Sequence, residues 1–105
     1  MIKLYRLMCN KEFESVCDDL PFSWNKSCKW FTDDVNFLTR VSDKRFNNSN
    51  FKPERYEHLV VYSVENIDSF ERVSNHELML RRKKEPSVKV ISISKVKGFS
   101  FDLVE

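Results

Sequence analysis

Three side chains with complementary chemistry stand far apart along the chain. Arg6 lies in the apolar segment that opens the sequence, Thr32 follows a pair of aromatic residues, and Glu77 comes directly before a short apolar run. A guanidinium can hold a phosphate by two parallel hydrogen bonds, and a carboxylate can stabilise a developing positive charge. Taken singly, each residue also has a structural use: a surface ion pair for Arg6, a helix cap for Thr32 and a solvated acid for Glu77. Their order along the chain is therefore more informative than their identities.

The order of these residues resembles that of the ADP-ribosyltransferase family, in its arginine-type branch. In that family an Arg on the first strand, a hydroxyl on a second strand and a Glu just ahead of a late strand line a cleft for NAD. The most specific part of the match is the run 77–83 followed by 87–92, which is similar to the family's catalytic Glu, apolar strand, polar turn and next strand. The resemblance implies that Arg6 holds the NAD phosphates, Thr32 positions a ribose and Glu77 is catalytic.

Further residues fit supporting roles that the resemblance implies. Tyr5 and Trp30 are candidates to stack on the nicotinamide or adenine of NAD, with burial in the core as the competing use of each ring. Asn75 stands two positions before the catalytic Glu, where the family usually has Glu or Gln, and its amide can orient an acceptor without acting as a base. Arg81 and Arg82 are candidate contacts to a macromolecular acceptor, either a host protein or a nucleic acid. In the protein without NAD, we expect the Arg6 guanidinium to pair with the Glu77 carboxylate.

The sequence leaves two other functions open. The second-strand motif is Trp30-Phe31-Thr32 where the family usually has Ser-Thr-Ser, and the chain is short for the family. These departures favour a non-catalytic interaction protein, such as a phage-encoded inhibitor that binds a host protein or a nucleotide. The basic run 81–84 favours an RNA-binding or RNA-cutting toxin, with a solvated turn as its structural alternative. A composition typical of an AT-rich gene fits a phage or mobile-element protein and fits many bacterial proteins equally.

Composition limits the classes of protein to which the chain can belong. With 105 residues, 41% of them hydrophobic, the chain has material for one domain spanning residues 1–105. A net charge of +2 gives little long-range field, so any basic site must be local. The single Gly excludes the Gly-rich phosphate loops of the dinucleotide-binding fold and of P-loop NTPases. Three Cys and two His without metal-ligand spacing argue against a disulfide framework or a bound metal.

Targeting signals are also missing from the sequence. It contains no apolar run of membrane-spanning length, and its first residues are interrupted by charge too early for a signal peptide. We therefore expect a cytoplasmic protein without a membrane partner. The sequence leaves its oligomeric state open.

Alternating and helical hydrophobic patterns predict the elements that must position these residues. We expect strands over 2–8, 58–64, 88–93 and 99–103, a strand ending at Thr32, a short apolar stretch at 77–82, and helices over 10–20 and 33–41. Asn10 is the expected N-cap of the first helix, and residues 43–54 form a predicted exposed loop. Because the run 58–64 is apolar on both faces, it predicts a central strand covered on each side. The predicted fold class is α+β, a single compact domain with a mostly antiparallel sheet and two short N-terminal helices. The resemblance implies the split sheet of the ADP-ribosyltransferases.

Overall fold

Two three-stranded antiparallel sheets form the framework of the protein. The computed structural model describes residues 1–37 and 58–97. In the first sheet β3 (His58–Val64) lies between β1 (Ile2–Met8) and β6 (Val90–Val96). In the second sheet β5 (Leu78–Arg81) lies between β2 (Cys28–Phe31) and β4 (Phe70–Arg72). Two short helices complete these elements, α1 (Asn10–Ser15) and a 3₁₀ helix (Arg82–Ser87). The described part of the chain is therefore α+β with antiparallel pairing, as the sequence predicts.

The main core lies between the inner faces of the two sheets. Every strand except β6 contributes fully buried apolar side chains to it, and α1 adds one ring. At its centre the rings of Phe22, Phe31, Tyr62 and Phe70 contact one another with centroids 5.1 to 5.8 Å apart. The hydroxyl of Tyr62 donates a 2.7 Å hydrogen bond to the carbonyl of Pro21, and burial raises the pKa of this phenol. An aromatic cluster shared by both sheets thus holds the two layers together.

A smaller cluster covers the other face of the first sheet. Leu7 and Leu59 are buried there, and Tyr5, Val35 and Val61 pack against them. Strand β3 is consequently covered on both faces, which confirms the prediction drawn from its continuous apolar run.

The two sheets meet at a single antiparallel bridge among the described residues. The amide of Tyr5 donates to the carbonyl of Thr32 at 2.8 Å, and the amide of Thr32 donates to the carbonyl of Tyr5 at 3.0 Å. Read across this bridge, the strand order is β4-β5-β2-β1-β3-β6. The bridge therefore brings β1 and β2 side by side at the point where the sheets separate.

The first helix is shorter than predicted. It ends at Ser15 because Val16 takes an extended conformation, with φ −85° and ψ 131°, and buries its side chain in the core. Cys17 and Leu20 then pair as an isolated bridge. The N-cap is Cys9 rather than Asn10, without a side-chain capping bond. A helix of six residues is held by tertiary contacts more than by its own propensity, so a longer helical pattern does not guarantee a longer helix.

Other predicted elements differ from the structure or lie outside the described ranges. Strand β4 is not among the predicted strands, and a 3₁₀ helix replaces the expected turn after β5. Of the second predicted helix, residues 35–37 are helical, while the rest of it, the loop 43–54 and the strand 99–103 fall outside the described residues.

Within the described ranges, no helix is long and apolar enough to cross a membrane.

Candidate functional site

The pairing of three strands brings the sequence-predicted residues to one region. Arg6 lies in β1, Thr32 follows β2 directly, and Glu77 directly precedes β5. Phe31 pairs with Leu78 at the end of the β2–β5 ladder, and Thr32 and Glu77 are the next residues beyond that end. Thr32 is also bridged to Tyr5 of β1. We call the region formed by Tyr5, Arg6, Thr32 and Glu77 the seam.

Arg6 is held by a carboxylate that the sequence did not single out. Its Nε and Nη2 each donate a 2.9 Å hydrogen bond to Glu12, and its Nη1 donates a 3.0 Å bond to the carbonyl of Trp30. The expected pairing of Arg6 with Glu77 is therefore wrong. Arg6 projects on the same face of β1 as Leu4, toward the core and α1, and the first turn of α1 carries Glu12 to that face.

A buried lysine completes an ion cluster of Arg6, Glu12 and Lys29. The side chain of Lys29 is 3% exposed, its Nζ lies 2.9 Å from Glu12 Oε2, and it stands 5.5 Å from the centre of the Trp24 ring. Arg6 and Glu12 are only 16% and 15% exposed. Two cations thus share one carboxylate, which leaves an excess positive charge close to the seam. The one sequence signal for this burial is that Lys29 alternates with Phe31 on the inner face of β2.

The pKa values of the cluster reflect this imbalance. Burial by itself raises the pKa of Glu12, but the hydrogen bonds and charges of Arg6 and Lys29 outweigh burial and hold that pKa below its ordinary value. Burial and the charge of Arg6 lower the pKa of Lys29, and the attraction of Glu12 only partly offsets them. The cluster therefore favours the ionised form of Glu12 and disfavours the ionised form of Lys29.

Replacing Lys29 with methionine is expected to leave the free energy of unfolding unchanged or to raise it. The variant removes a buried charge whose ionised form is disfavoured, and it keeps the neutral Arg6–Glu12 pair and a side chain of similar length. Urea denaturation at pH 7 measures the difference. A loss above about 1 kcal/mol would show that the Lys29–Glu12 bond more than offsets the cost of burying the lysine.

Thr32 is engaged in a local turn. Its hydroxyl donates to the carbonyl of Asp34 at 3.1 Å and accepts from the amide of Asp34 at 3.0 Å. Thr32 thus has the helix-capping type of role that the sequence analysis gave as its structural alternative. Its hydroxyl bonds to the backbone just before the helical residues 35–37. Directly opposed residues in an antiparallel pair project to the same face, so the Thr32 side chain lies on the face of Tyr5 and not on that of Arg6.

An ion pair and a histidine–carboxylate contact fasten the segment after Thr32 to the turn before Glu77. Arg72 Nη2 lies 2.6 Å from Asp33 Oδ2, and the hydrogen bond from Arg72 lowers the pKa of Asp33. His76 Nδ1 lies 3.1 Å from Asp34 Oδ2, and the His76 ring stacks on Phe37 with centroids 5.3 Å apart. These contacts keep the hydroxyl of the seam and its carboxylate on neighbouring, mutually braced segments.

Glu77 is the chemically available residue of the seam. Its backbone carbonyl accepts hydrogen bonds from the amides of Val73 and Ser74, at 3.0 and 3.4 Å. Its side chain is half-buried, and its carboxylate makes no hydrogen bond or ion pair in the part of the chain that the structure describes. Asn75 lies two residues before Glu77 and is exposed to solvent. Its backbone carbonyl accepts a 3.3 Å hydrogen bond from Arg72.

The remaining predicted residues are distributed more widely. Tyr5 is half-buried in the smaller cluster, whereas the Trp30 side chain is 46% exposed. Arg81 pairs with Glu71 at 2.7 Å, and the amide of Arg82 donates to the carbonyl of Ser27 at 2.8 Å. Arg81 stands four positions along the chain from Glu77, about 13 Å at the rise of a strand. The structure therefore separates the predicted acceptor-binding arginines from the seam.

Among residues 1–37 and 58–97, no group of three or more His, Cys, Asp or Glu side chains is placed to hold a metal ion. No protein-family model, curated protein or solved structure matches the chain.

Proposed function

We propose that the chain is an ADP-ribosyltransferase-type domain that takes NAD as its substrate at the seam. In this proposal Glu77 is the catalytic carboxylate, and ADP-ribose passes to a macromolecular acceptor. The observation that carries the proposal is the half-buried carboxylate of Glu77, which has no partner in the described part of the chain and lies beside Thr32. A partly desolvated, unpaired carboxylate is poised to interact with positive charge that develops on a ligand.

The arrangement of the strands supports this proposal. Two antiparallel sheets that part between β1 and β2 agree with the split sheet that the sequence resemblance implies. Strand β1, which carries Arg6, and strands β2 and β5, which Thr32 and Glu77 directly adjoin, are neighbours in that order.

The charge behind the seam also favours an anionic substrate. The ion cluster holds one more cation than it has carboxylates, and two guanidinium N–H groups of Arg6 are not used by Glu12 or by the Trp30 carbonyl. A pyrophosphate near the seam would compensate the excess charge. The side chains of Arg6 and Lys29 project to the face opposite that of Thr32, so in this proposal they attract the anionic substrate through their field, and Glu77 supplies the chemistry.

The proposed reaction is a substitution at the anomeric carbon of the nicotinamide ribose. The bond from that carbon to the ring nitrogen breaks, its electron pair goes to the pyridinium ring, and nicotinamide leaves as a neutral molecule. The carboxylate of Glu77 stabilises the oxocarbenium-like ribose, and a nucleophilic atom of the acceptor then bonds to the same carbon and loses its proton. With water as the acceptor, the products are ADP-ribose and nicotinamide, so a first assay needs no identified target.

Nicotinamide release from NAD by the purified chain tests the proposal. We expect Glu77→Gln to slow release by about 100-fold or more, because it removes the one charge that stabilises the transition state. Its affinity for NAD, measured by calorimetry, should change little. Glu65→Gln, which neutralises an exposed carboxylate at the end of β3, is the matched control and should behave as the wild type.

Two outcomes would contradict the proposal. Equal nicotinamide release by the wild type and Glu77→Gln would remove Glu77 from the mechanism. Binding of NAD or ADP-ribose without release, even after long incubation, would instead favour the non-catalytic nucleotide-binding protein. The engagement of Thr32 with Asp34 and of Arg6 with Glu12 is the observation that favours that second function.

A further inference from the structure

A basic depression lies where β5 runs into the 3₁₀ helix, on a part of the surface that the proposed function does not use. It has a volume of about 440 Å³ and is lined by Ser27, Arg81, Arg82 and Lys83. Lys84 follows in the same helix. We call these five residues the basic corner.

Three of the four cations in the basic corner are available to a ligand. Arg81 is paired with Glu71, but the exposed side chains of Arg82, Lys83 and Lys84 make no hydrogen bond or ion pair with any residue that the structure describes. Formal charge is also concentrated here. The run 81–84 carries four positive charges, and the nearby carboxylates of Glu71 and Glu85 carry two negative charges. The difference equals the net charge of +2 on the whole chain.

The backbone that carries these cations is held in place by the body of the protein. The amide of Arg82 donates a 2.8 Å bond to the carbonyl of Ser27, which ties the start of the 3₁₀ helix to the segment before β2. Trp24 Nε1 donates a 2.7 Å bond to Glu85 Oε2, which ties down the middle of the helix and occupies its carboxylate. The cations therefore project from a fixed base, which lowers the entropy lost on binding.

An exposed aromatic ring adjoins the basic corner on the outer face of the second sheet. Trp30 is 46% exposed and pairs with Met79, and Arg81 lies two positions further along the same strand, opposite Cys28. Trp30 and Arg81 are diagonal neighbours on one face, since the alternate residues of these strands are buried in the core. The surface thus combines an indole face with a row of unpaired cations.

We propose that this surface binds single-stranded nucleic acid, with phosphates on Arg82, Lys83 and Lys84 and a base stacked on Trp30. Unpaired cations match the regular charge of a phosphodiester backbone, and an exposed indole matches the π-face of an unpaired base, which a duplex conceals. An acidic protein segment would satisfy the cations and leave the indole without a complementary partner. The proposal does not depend on the chemistry of Glu77.

Fluorescence anisotropy with the full chain and a fluorescein-labelled 15-nucleotide oligothymidine tests the proposal across a series of KCl concentrations. The triple variant Arg82→Gln, Lys83→Gln, Lys84→Gln should bind at least about 10-fold more weakly at low salt. Its plot of log affinity against log salt should be shallower by about 2, because each lost phosphate contact removes about 0.7 from the slope. Trp30→Ala should weaken binding by roughly 10-fold with little change in slope, because it removes stacking and no charge.

The control variant removes the same charge from elsewhere on the surface. Lys3→Gln, Lys11→Gln, Lys97→Gln should retain affinity within about 3-fold, since all three side chains are exposed and lie outside the basic corner. Circular dichroism verifies that each variant is folded. The proposal is overturned by an absence of binding at low salt, by equal losses in the two triple variants, or by wild-type affinity in Trp30→Ala. Equal competition by a duplex or by a polyglutamate peptide would overturn it as well.

Discussion

Glu12→Gln is expected to lower the free energy of unfolding by about 3 kcal/mol, because it leaves a buried and a half-buried cation without their shared counter-charge. Lys29 is 3% exposed, so water cannot replace the carboxylate there, and Arg6, at 16% exposure, is only partly solvated. The neutral amide can accept a hydrogen bond but cannot offset the repulsion between the two cations. Urea denaturation at pH 7 measures the loss.

A neighbouring glutamate provides the matched control. Glu14 lies two residues further along α1 and is exposed, and among the described residues its side chain hydrogen-bonds only to the Asn10 amide, at 3.2 Å. Glu14→Gln changes the same charge on the same helix and should alter the free energy of unfolding by about 0.5 kcal/mol or less. If the two variants were equally stable, the ion cluster would contribute nothing to the fold beyond its packing.

The same cluster predicts a pH dependence whose sign follows from the pKa of Glu12. Because the folded state lowers this pKa from its ordinary 4.5, the folded protein holds the proton of Glu12 less tightly than the unfolded chain does. The stabilisation is therefore fully present above pH 4.5 and is lost as the pH falls through the lower folded pKa. Unfolding titrations of the wild type should show this acid loss, and Glu12→Gln should lack that part of it.

Phe31→Ala is expected to lower the free energy of unfolding by about 3 to 5 kcal/mol, through the loss of buried area and the cavity that remains. Phe31 is 3% exposed, and its ring contacts those of Tyr62 in the first sheet, Phe70 in the second sheet and Phe22 in the segment before β2. The Arg6 guanidinium also lies 5.8 Å from the centre of this ring. The variant therefore removes packing between the two sheets and also the contact of the Phe31 ring with Arg6 of the ion cluster.

The adjacent residue separates this effect from a general sensitivity of β2. Trp30→Ala deletes a larger ring from the same strand, but that ring is 46% exposed and points away from the core. We expect a loss of about 1 kcal/mol or less for Trp30→Ala, measured by the same urea titration. Comparable losses in both variants would mean that β2 responds to any change of side chain, and that the aromatic cluster has no special weight.

The location of the seam could be approached from the sequence, but its internal partners could not. The alternation that marks β1 and the order of the elements placed Arg6, Thr32 and Glu77 in or directly beside strands that the structure brings together. The partner of Arg6 was nevertheless predicted as Glu77 and is Glu12. Glu12 is an acid in the first turn of α1, which is a common position for an acid in any helix, and nothing local indicates that the helix folds back over the inner face of β1.

The sequence by itself determined the features that depend on local periodicity and on composition. The β-branched run 58–64 specified a buried central strand, because apolar residues on both faces can only be satisfied by cover on both faces. The single Gly excluded Gly-rich phosphate loops, because no other residue allows such close approach of the backbone. The first feature follows from the residues of one segment and the second from the composition of the chain, so neither depends on how the elements pack together.

Only the tertiary structure decided which charges are buried, paired or free. Lys29 is buried because β2 turns that face toward the core, and the Glu77 carboxylate has no partner among the described residues, where Arg72 of the neighbouring strand pairs with Asp33. Whether an ionic side chain is structural or available depends on which distant element supplies its counter-ion. That contact is set by packing between elements, and hydrophobic periodicity carries no information about it.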